Sequence, residues 1–527
     1  MARDLTLAAA ATAGALGLQV VRHLEAIRGY RAPPLPAFDA YVYVAMAEHP
    51  TVFTVAPWGH RILTPWLARA VPFAPLSVAF PVVTVGAFAL ACLLLFAFLR
   101  RRGHRPWAAG VGVVAFALSP PVGELIAAPF LVEPLACALL IALLLALEMG
   151  LGVGTLALIA VLGVLAKEVV LLFLPVVYFA ARTDQRSRAA RDAIVVGAAA
   201  VAALLLLRVV WTPHLGTPVP DLGAERFRLL WNSFRFEPMR WLAITAVGGL
   251  TLAAIAGALR ASARPFLRRY AWVLAATLVQ PLLAHYAIQQ VVGEMNRYLL
   301  YAAPVLVALA LLALDRVLPH LEPPPAPLAP GPRLSQMAAV AAALAIVVPL
   351  LLVDRYRRLD LQGRRDGNYI LGFCHGTLTA ARKLRDGAPV LLRMEERRFD
   401  PQRFEPEMYD RMRWFLREGW GNAPEYETAE AFMQADQATV VLPAYAPAPI
   451  EVTLAMSAAR ETALRVSANG QRLGEGTIGT ERTRLRFLVP AEVLFRGDNL
   501  VTLETSNAAA TLPRLYALAY SPTPRSP

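Results

Sequence analysis

Long apolar runs fill the first two thirds of the chain, several of them shorter than a membrane helix and so readable also as re-entrant or buried core helices. They are broken by short polar loops. A bilayer core of about 30 Å takes roughly 20 apolar helical residues. On that measure the runs are Leu5–Val21, Ala74–Leu99, Trp107–Leu118, Phe130–Met149, Leu151–Ala166, Val169–Ala181, Ala193–Val210, Trp241–Leu259, Tyr270–Ala287, Tyr298–Leu314 and Leu334–Val353. They predict a polytopic α-helical membrane protein with about eleven spans. Beyond Val353 the pattern changes. A helical stretch, Thr377–Arg385, is stopped by Gly387, and a strand-like Pro389–Met394 follows. Next come short alternating runs at Ala438–Leu442, Ile450–Met456, Ala463–Ala468, Thr483–Val489, Leu500–Glu504 and Leu515–Tyr520. Such runs, separated by turn residues, predict antiparallel strands, and Asn469-Gly470 between two of them is a hairpin signal. The expected organisation is a membrane domain over 1–353, a mixed α/β connecting region over 354–430 and a β-sandwich of jelly-roll type over 431–527.

Composition supports this reading. The 527 residues are 57% hydrophobic and 17% charged, with a mean hydropathy of +0.49. A soluble domain is closer to about half apolar and a quarter charged. The net charge of +13 is read through the membrane rather than through nucleic acid, because cytoplasmic loops collect basic residues. Arg100, Arg101, Arg102 and Arg105, then Arg182, Arg186, Arg188 and Arg191, then Arg260, Arg264, Arg268 and Arg269 fall on one side of an alternating topology. That side is the cytoplasm, which puts the C-terminal part outside it, as in a bacterial inner-membrane protein. The first run reads as an anchor helix or a cleaved signal peptide. Three cysteines, Cys92, Cys137 and Cys374, make neither a disulfide framework nor a thiolate metal site.

Ionisable residues at the edge of hydrocarbon are candidates for function. The loop after the first span carries Phe38-Asp39-Ala40-Tyr41-Val42-Tyr43, then His60-Arg61 and Pro65. Asp39 is either a general base or simply the start of a helix running to Glu48. Lys167-Glu168 lies between two apolar runs. Only Lys167 and Lys383 are lysines among the 51 basic residues, and an ammonium at an interface either binds a phosphate or snorkels to water. Arg297-Tyr298, preceded by Glu294, opens another span. Arg297 is a fork for a phosphate or carboxylate, or an interfacial anchor. Glu124 and Glu133 bracket the start of the fourth span, as caps or as partners for Arg61, Lys167 or Arg297.

Together these residues resemble the GT-C superfamily of integral membrane glycosyltransferases. The resemblance is carried by Phe38-Asp39-Ala40-Tyr41, by His60-Arg61-Ile62-Leu63-Thr64-Pro65, by Lys167-Glu168 with Leu174-Pro175, and by Arg297-Tyr298 with Pro304. It spans roughly residues 1–353. It implies a polyprenyl-phosphate-linked sugar donor in the bilayer and a glycan, lipid or protein acceptor, with no nucleic acid. Asp39 would be the catalytic base, and Lys167, Arg297 and Arg61 would hold the donor phosphate. Tyr41, Tyr43, His60, Glu124, Glu133, Glu168, Glu294 and Tyr298 would support them. The family's usual acidic pair is not found beside Asp39. No metal ligands are assigned, and a divalent metal stays open. The β part is similar to the carbohydrate-binding sandwich appended to some such transferases. A lipid-linked sugar flippase and a membrane-tethered glycan-binding protein are the alternative functions.

Overall fold

A computed structural model describes residues 2–29, 38–48, 58–72, 74–181, 186–207, 250–280, 297–314, 367–393, 412–421 and 431–523. The expected span Leu334–Val353, residues 241–249 of Trp241–Leu259, residues 281–287 of Tyr270–Ala287, and Glu294 lie outside the described residues. The chain forms two compact units. One comprises Met1–Arg31, His60–Trp211 and Thr217–Leu352; the other comprises Ala32–Gly59, Thr212–Gly216 and Val353–Pro527. A single cut at residue 353 therefore does not separate them.

In chain order the main helices are α1 (Ala2–Arg22), α2 (Phe38–Glu48), α3 (Leu63–Ala70), α4 (Leu76–Arg101), α5 (Pro106–Ala117), α6 (Pro120–Ala127), α7 (Glu133–Glu148), α8 (Val153–Ala166), α9 (Arg186–Leu206), α10 (Leu250–Ala258), α11 (Arg264–Val279), α12 (Ala303–Leu314) and α13 (Gly367–Arg385). All but α2 and α13 belong to the first unit. Among the described residues, four helical stretches are long and apolar enough to cross a membrane: Asp4–Arg22, Leu76–Arg101, Arg186–Leu206 and Arg297–Leu314. A fifth forms if the bent pair α5–α6 counts as one. The two helices meet at 50°, where Pro120 and Pro121 start a new helix after Ser119.

The expected span Val169–Ala181 is instead a 3₁₀ turn, Glu168–Phe173, followed by a short helix, Val176–Ala181. Pro175 has no backbone N–H to continue one regular helix through this point. Small residues allow close packing elsewhere in the bundle. A Cβ on Gly257 of α10 would lie 1.8 Å from the Leu309 carbonyl oxygen of α12, so these two helices touch backbone to backbone.

In the second unit α2 packs on α13. The strands are β1 (Val390–Arg393), β2 (Ala431–Phe432), β3 (Gln437–Ala444), β4 (Ile450–Ser457), β5 (Thr462–Ala468), β6 (Gln471–Ile478), β7 (Thr483–Val489), β8 (Gly497–Glu504) and β9 (Arg514–Pro522). They form two antiparallel sheets, ordered β1-β9-β4-β7 and β3-β8-β5-β6, with β2 also on β9. This is the strand order of a jelly roll. Alternation along β4 and β5 buries every second residue. The Tyr520 hydroxyl of one sheet donates to the Val441 carbonyl of the other at 2.5 Å. Asn469 and Gly470, with φ of 47° and 85°, make the β5–β6 turn.

Candidate active site

Glu133 opens α7, where the N-terminal helix dipole favours a carboxylate. Pro134 behind it supplies a preset helical φ. Lys167 directly follows the C-terminus of α8, where a cation is favoured, and its N–H donates to the Gly163 carbonyl at 2.8 Å. Since α7 and α8 pack together, these two ends meet. Lys167 Nζ donates to Glu133 Oε1 at 2.7 Å, with Lys167 4% and Glu133 1% exposed. Arg297 Nε approaches the same Oε1 at 3.4 Å. The Lys167 ammonium also sits over the Tyr298 ring, 5.8 Å from its centroid.

Lys167 is extended, with φ −161° and ψ 125°. Successive side chains on extended backbone point opposite ways, so Glu168 faces a different partner. Arg61 grips it with two parallel bonds, Nη2 to Oε1 at 2.6 Å and Nε to Oε2 at 2.9 Å. Arg61 is held in the turn between Trp58–His60 and α3. The chain folds back sharply after Lys167, and Val170 packs onto Gly163, where a Cβ would be 2.8 Å from Val170 Cγ1.

Three cations and two carboxylates from four separate stretches of sequence thus converge at one end of the bundle. Buried ion pairs recover their desolvation cost only with good geometry and shared hydrogen bonds. Here one carboxylate takes two cations and the other takes a bidentate fork. Glu133 Oε2 has no hydrogen-bond partner among the described residues.

The structure therefore brings together Arg61, Lys167, Arg297, Glu133, Glu168 and Tyr298. His60 is buried beside Arg61 in the chain. Glu124 is exposed on α6. Asp39 lies in the first turn of α2, in the second unit, half-buried, and Tyr43 one turn on is fully buried. The side chain of Tyr41 lies outside the described residues. Tyr301 does not stand out in the sequence. It is fully buried and packs on Phe173 with centroids 5.3 Å apart. Its spacing of three from Tyr298, one helical turn, is the signal that could have found it. Among the described residues no group of three or more His, Cys, Asp or Glu could hold a metal ion.

The opposite end of α7 carries a second cluster. Glu148 accepts from the Tyr270 hydroxyl and pairs with Arg102 at 3.3 Å and Arg269 at 3.6 Å. The Arg102 guanidinium lies over Phe266. Arg100 reaches Asp4 at 3.0 Å and the His104 carbonyl at 2.6 Å. The arginine clusters at residues 100–102 and 269 thus gather at the far end from Lys167.

No protein-family model matches the chain, and no curated protein matches it. Among solved structures it is similar to the arabinosyltransferase EmbB from Mycobacterium smegmatis, determined by single-particle cryo-EM, at 11% identity and a TM-score of 0.36. The alignment covers 97% of this chain and 64% of that one, so the chain spans under two thirds of its neighbour's length. A TM-score of that size does not establish a shared fold.

Proposed function

We propose that this chain is a membrane glycosyltransferase that moves a sugar from a polyprenyl-phosphate donor to an acceptor hydroxyl outside the cytoplasm. The observation that carries the reading is the meeting of Arg61, Lys167 and Arg297 at the end of α7 opposite the arginine end. Basic residues collect on the cytoplasmic side, which assigns the Lys167 end to the other leaflet. A donor whose tail lies in the bilayer has its phosphate at that depth. Cations placed there hold it and stabilise the charge that develops as it leaves.

In this reading the acceptor oxygen attacks the anomeric carbon as the bond to the phosphate oxygen breaks, and configuration inverts. The bonding pair leaves with the polyprenyl phosphate, and the acceptor proton passes to a carboxylate. Asp39 is assigned that proton by the Phe38-Asp39-Ala40-Tyr41 motif.

The test is sugar transfer from labelled polyprenyl-phosphate-sugar in membranes containing the protein. Asp39→Asn is expected to lose about 10²–10⁴ in rate, and Lys167→Ala to lose donor binding. Full transfer by a stably expressed Asp39→Asn variant would remove Asp39 from the mechanism.

A further inference from the structure

We propose that Glu133 competes with the donor phosphate for Lys167 and Arg297, and thereby limits how tightly the site holds the polyprenyl phosphate it produces. The proposal rests on the donor reading above. Both cations converge on a single oxygen, Glu133 Oε1, at 2.7 and 3.4 Å. A phosphate that needs the same donors must draw at least one of them away. Lys167 sits at ordinary hydrogen-bond length, whereas the Arg297 contact is longer than the usual 2.7–3.2 Å range. Arg297 is therefore the group that changes partner. Glu133 cannot follow it, because its backbone is fixed as the first residue of α7 and its side chain is 1% exposed.

The chemistry gives this competition a purpose. The donor is a phosphodiester with one negative charge. The product is a monoester, which carries about −1.5 to −2 near neutral pH. Bare cations at this depth would hold the product more tightly than the donor, and each turnover would stall at release. A carboxylate already seated against these cations weakens the hold on any anion. It offsets most where the bound anion would otherwise dwell longest.

The test uses the full-length protein in detergent, with polyprenyl monophosphate as the probe, and reads its dissociation constant and steady-state transfer. Glu133→Gln keeps the shape and removes the charge. It is expected to bind the monophosphate at least about tenfold more tightly, a change of about 1.4 kcal/mol, and to lower kcat and KM together as release becomes limiting. Equal or weaker binding by a folded Glu133→Gln variant overturns the proposal and makes Glu133 structural. If the unaltered protein does not bind the monophosphate at all, it is the donor reading that fails. One measurement needs no variant. The unaltered protein should bind the monophosphate no more than about threefold tighter than a non-transferable phosphodiester analogue of the donor, a difference of about 0.7 kcal/mol. A tenfold preference for the monoester also overturns the proposal.

Discussion

Glu133 and Glu148 open and close the same helix, about 22 Å apart along its axis, and each gathers cations at its own end. Lys167 and Arg297 meet the first, and Arg102 and Arg269 meet the second. One helix therefore fixes the polarity of the bundle and separates its two charge clusters by most of a bilayer's apolar thickness.

Because the clusters are separate, the far one can be disturbed alone. Glu148→Gln leaves Arg102 and Arg269, both under a third exposed, without their shared carboxylate. Stability should fall by about 1–2 kcal/mol, read as a lower unfolding midpoint in detergent. Binding of polyprenyl monophosphate should be unchanged. A loss of that binding in the folded variant would show that the two ends are coupled.

The turn that presents Lys167 depends on Gly163. Gly163→Ala places a methyl 2.8 Å from Val170 Cγ1, and Val170 is 2% exposed. Overpacking of this kind costs about 1–3 kcal/mol, and it shifts the segment that carries Lys167 and Glu168. Transfer should drop, and adding Val170→Ala should restore much of it. A double variant as impaired as the single would rule out this steric account.

His104, in the short loop between α4 and α5, is 4% exposed. Burial, and secondarily the Arg102 charge, lower its pKa from 6.5 to about 4. The folded chain thus keeps it neutral at a pH where the unfolded chain protonates it. Its contribution is intact above pH 6.5 and is lost as pH falls towards 4, to a limit of order 3 kcal/mol. The unfolding midpoint should decline over that window. His104→Gln should flatten the decline, and an unchanged slope would assign it to other groups.

Gly470 has φ 85° with open space around its missing Cβ. Gly470→Ala should therefore cost only the backbone penalty of about 1–2 kcal/mol. Gly476→Ala would meet Leu485 Cδ2 at 2.8 Å, but that methyl is the far end of a half-buried side chain that can swing aside, so Gly470→Ala should open the β region to limited proteolysis the more readily. The reverse order would show that Leu485 of β7 is held rigidly against β6.

The strands of the second unit are legible in the sequence because alternation is a local signal. Thr483–Val489 has the expected bounds, and Ile450 starts its strand as read. β6 carries no such signal: Gln471–Ile478 is polar and holds Gly474 and Gly476, which are there to admit Phe487 and Leu485 from β7. That need is visible only once both strands are placed. In the first unit, Lys167, Arg297 and Arg61 stand out as charge against hydrocarbon. Glu133 is among the partners the sequence offers them, but which cations it takes and the pairing of Arg61 with Glu168 are not legible, since Lys167 and Glu133 lie 34 residues apart and Arg61 and Glu168 lie 107 apart, and no local pattern records such contacts. The placement of α2 with α13 in the second unit is hidden for the same reason.

β9 lies between β1 and β4, so the last described strand is an inner strand of its sheet. β1 pairs with residues about 130 positions further along, as in Val390 with Tyr520. During synthesis the sheet cannot close until nearly all of this region has left the ribosome. Until then β1 and β4 present bare edges, the condition that invites wrong pairing. Removing Arg514–Pro522 would take out an interior element of the sheet rather than trim its border, and a nascent chain stalled before it would be a target for quality control.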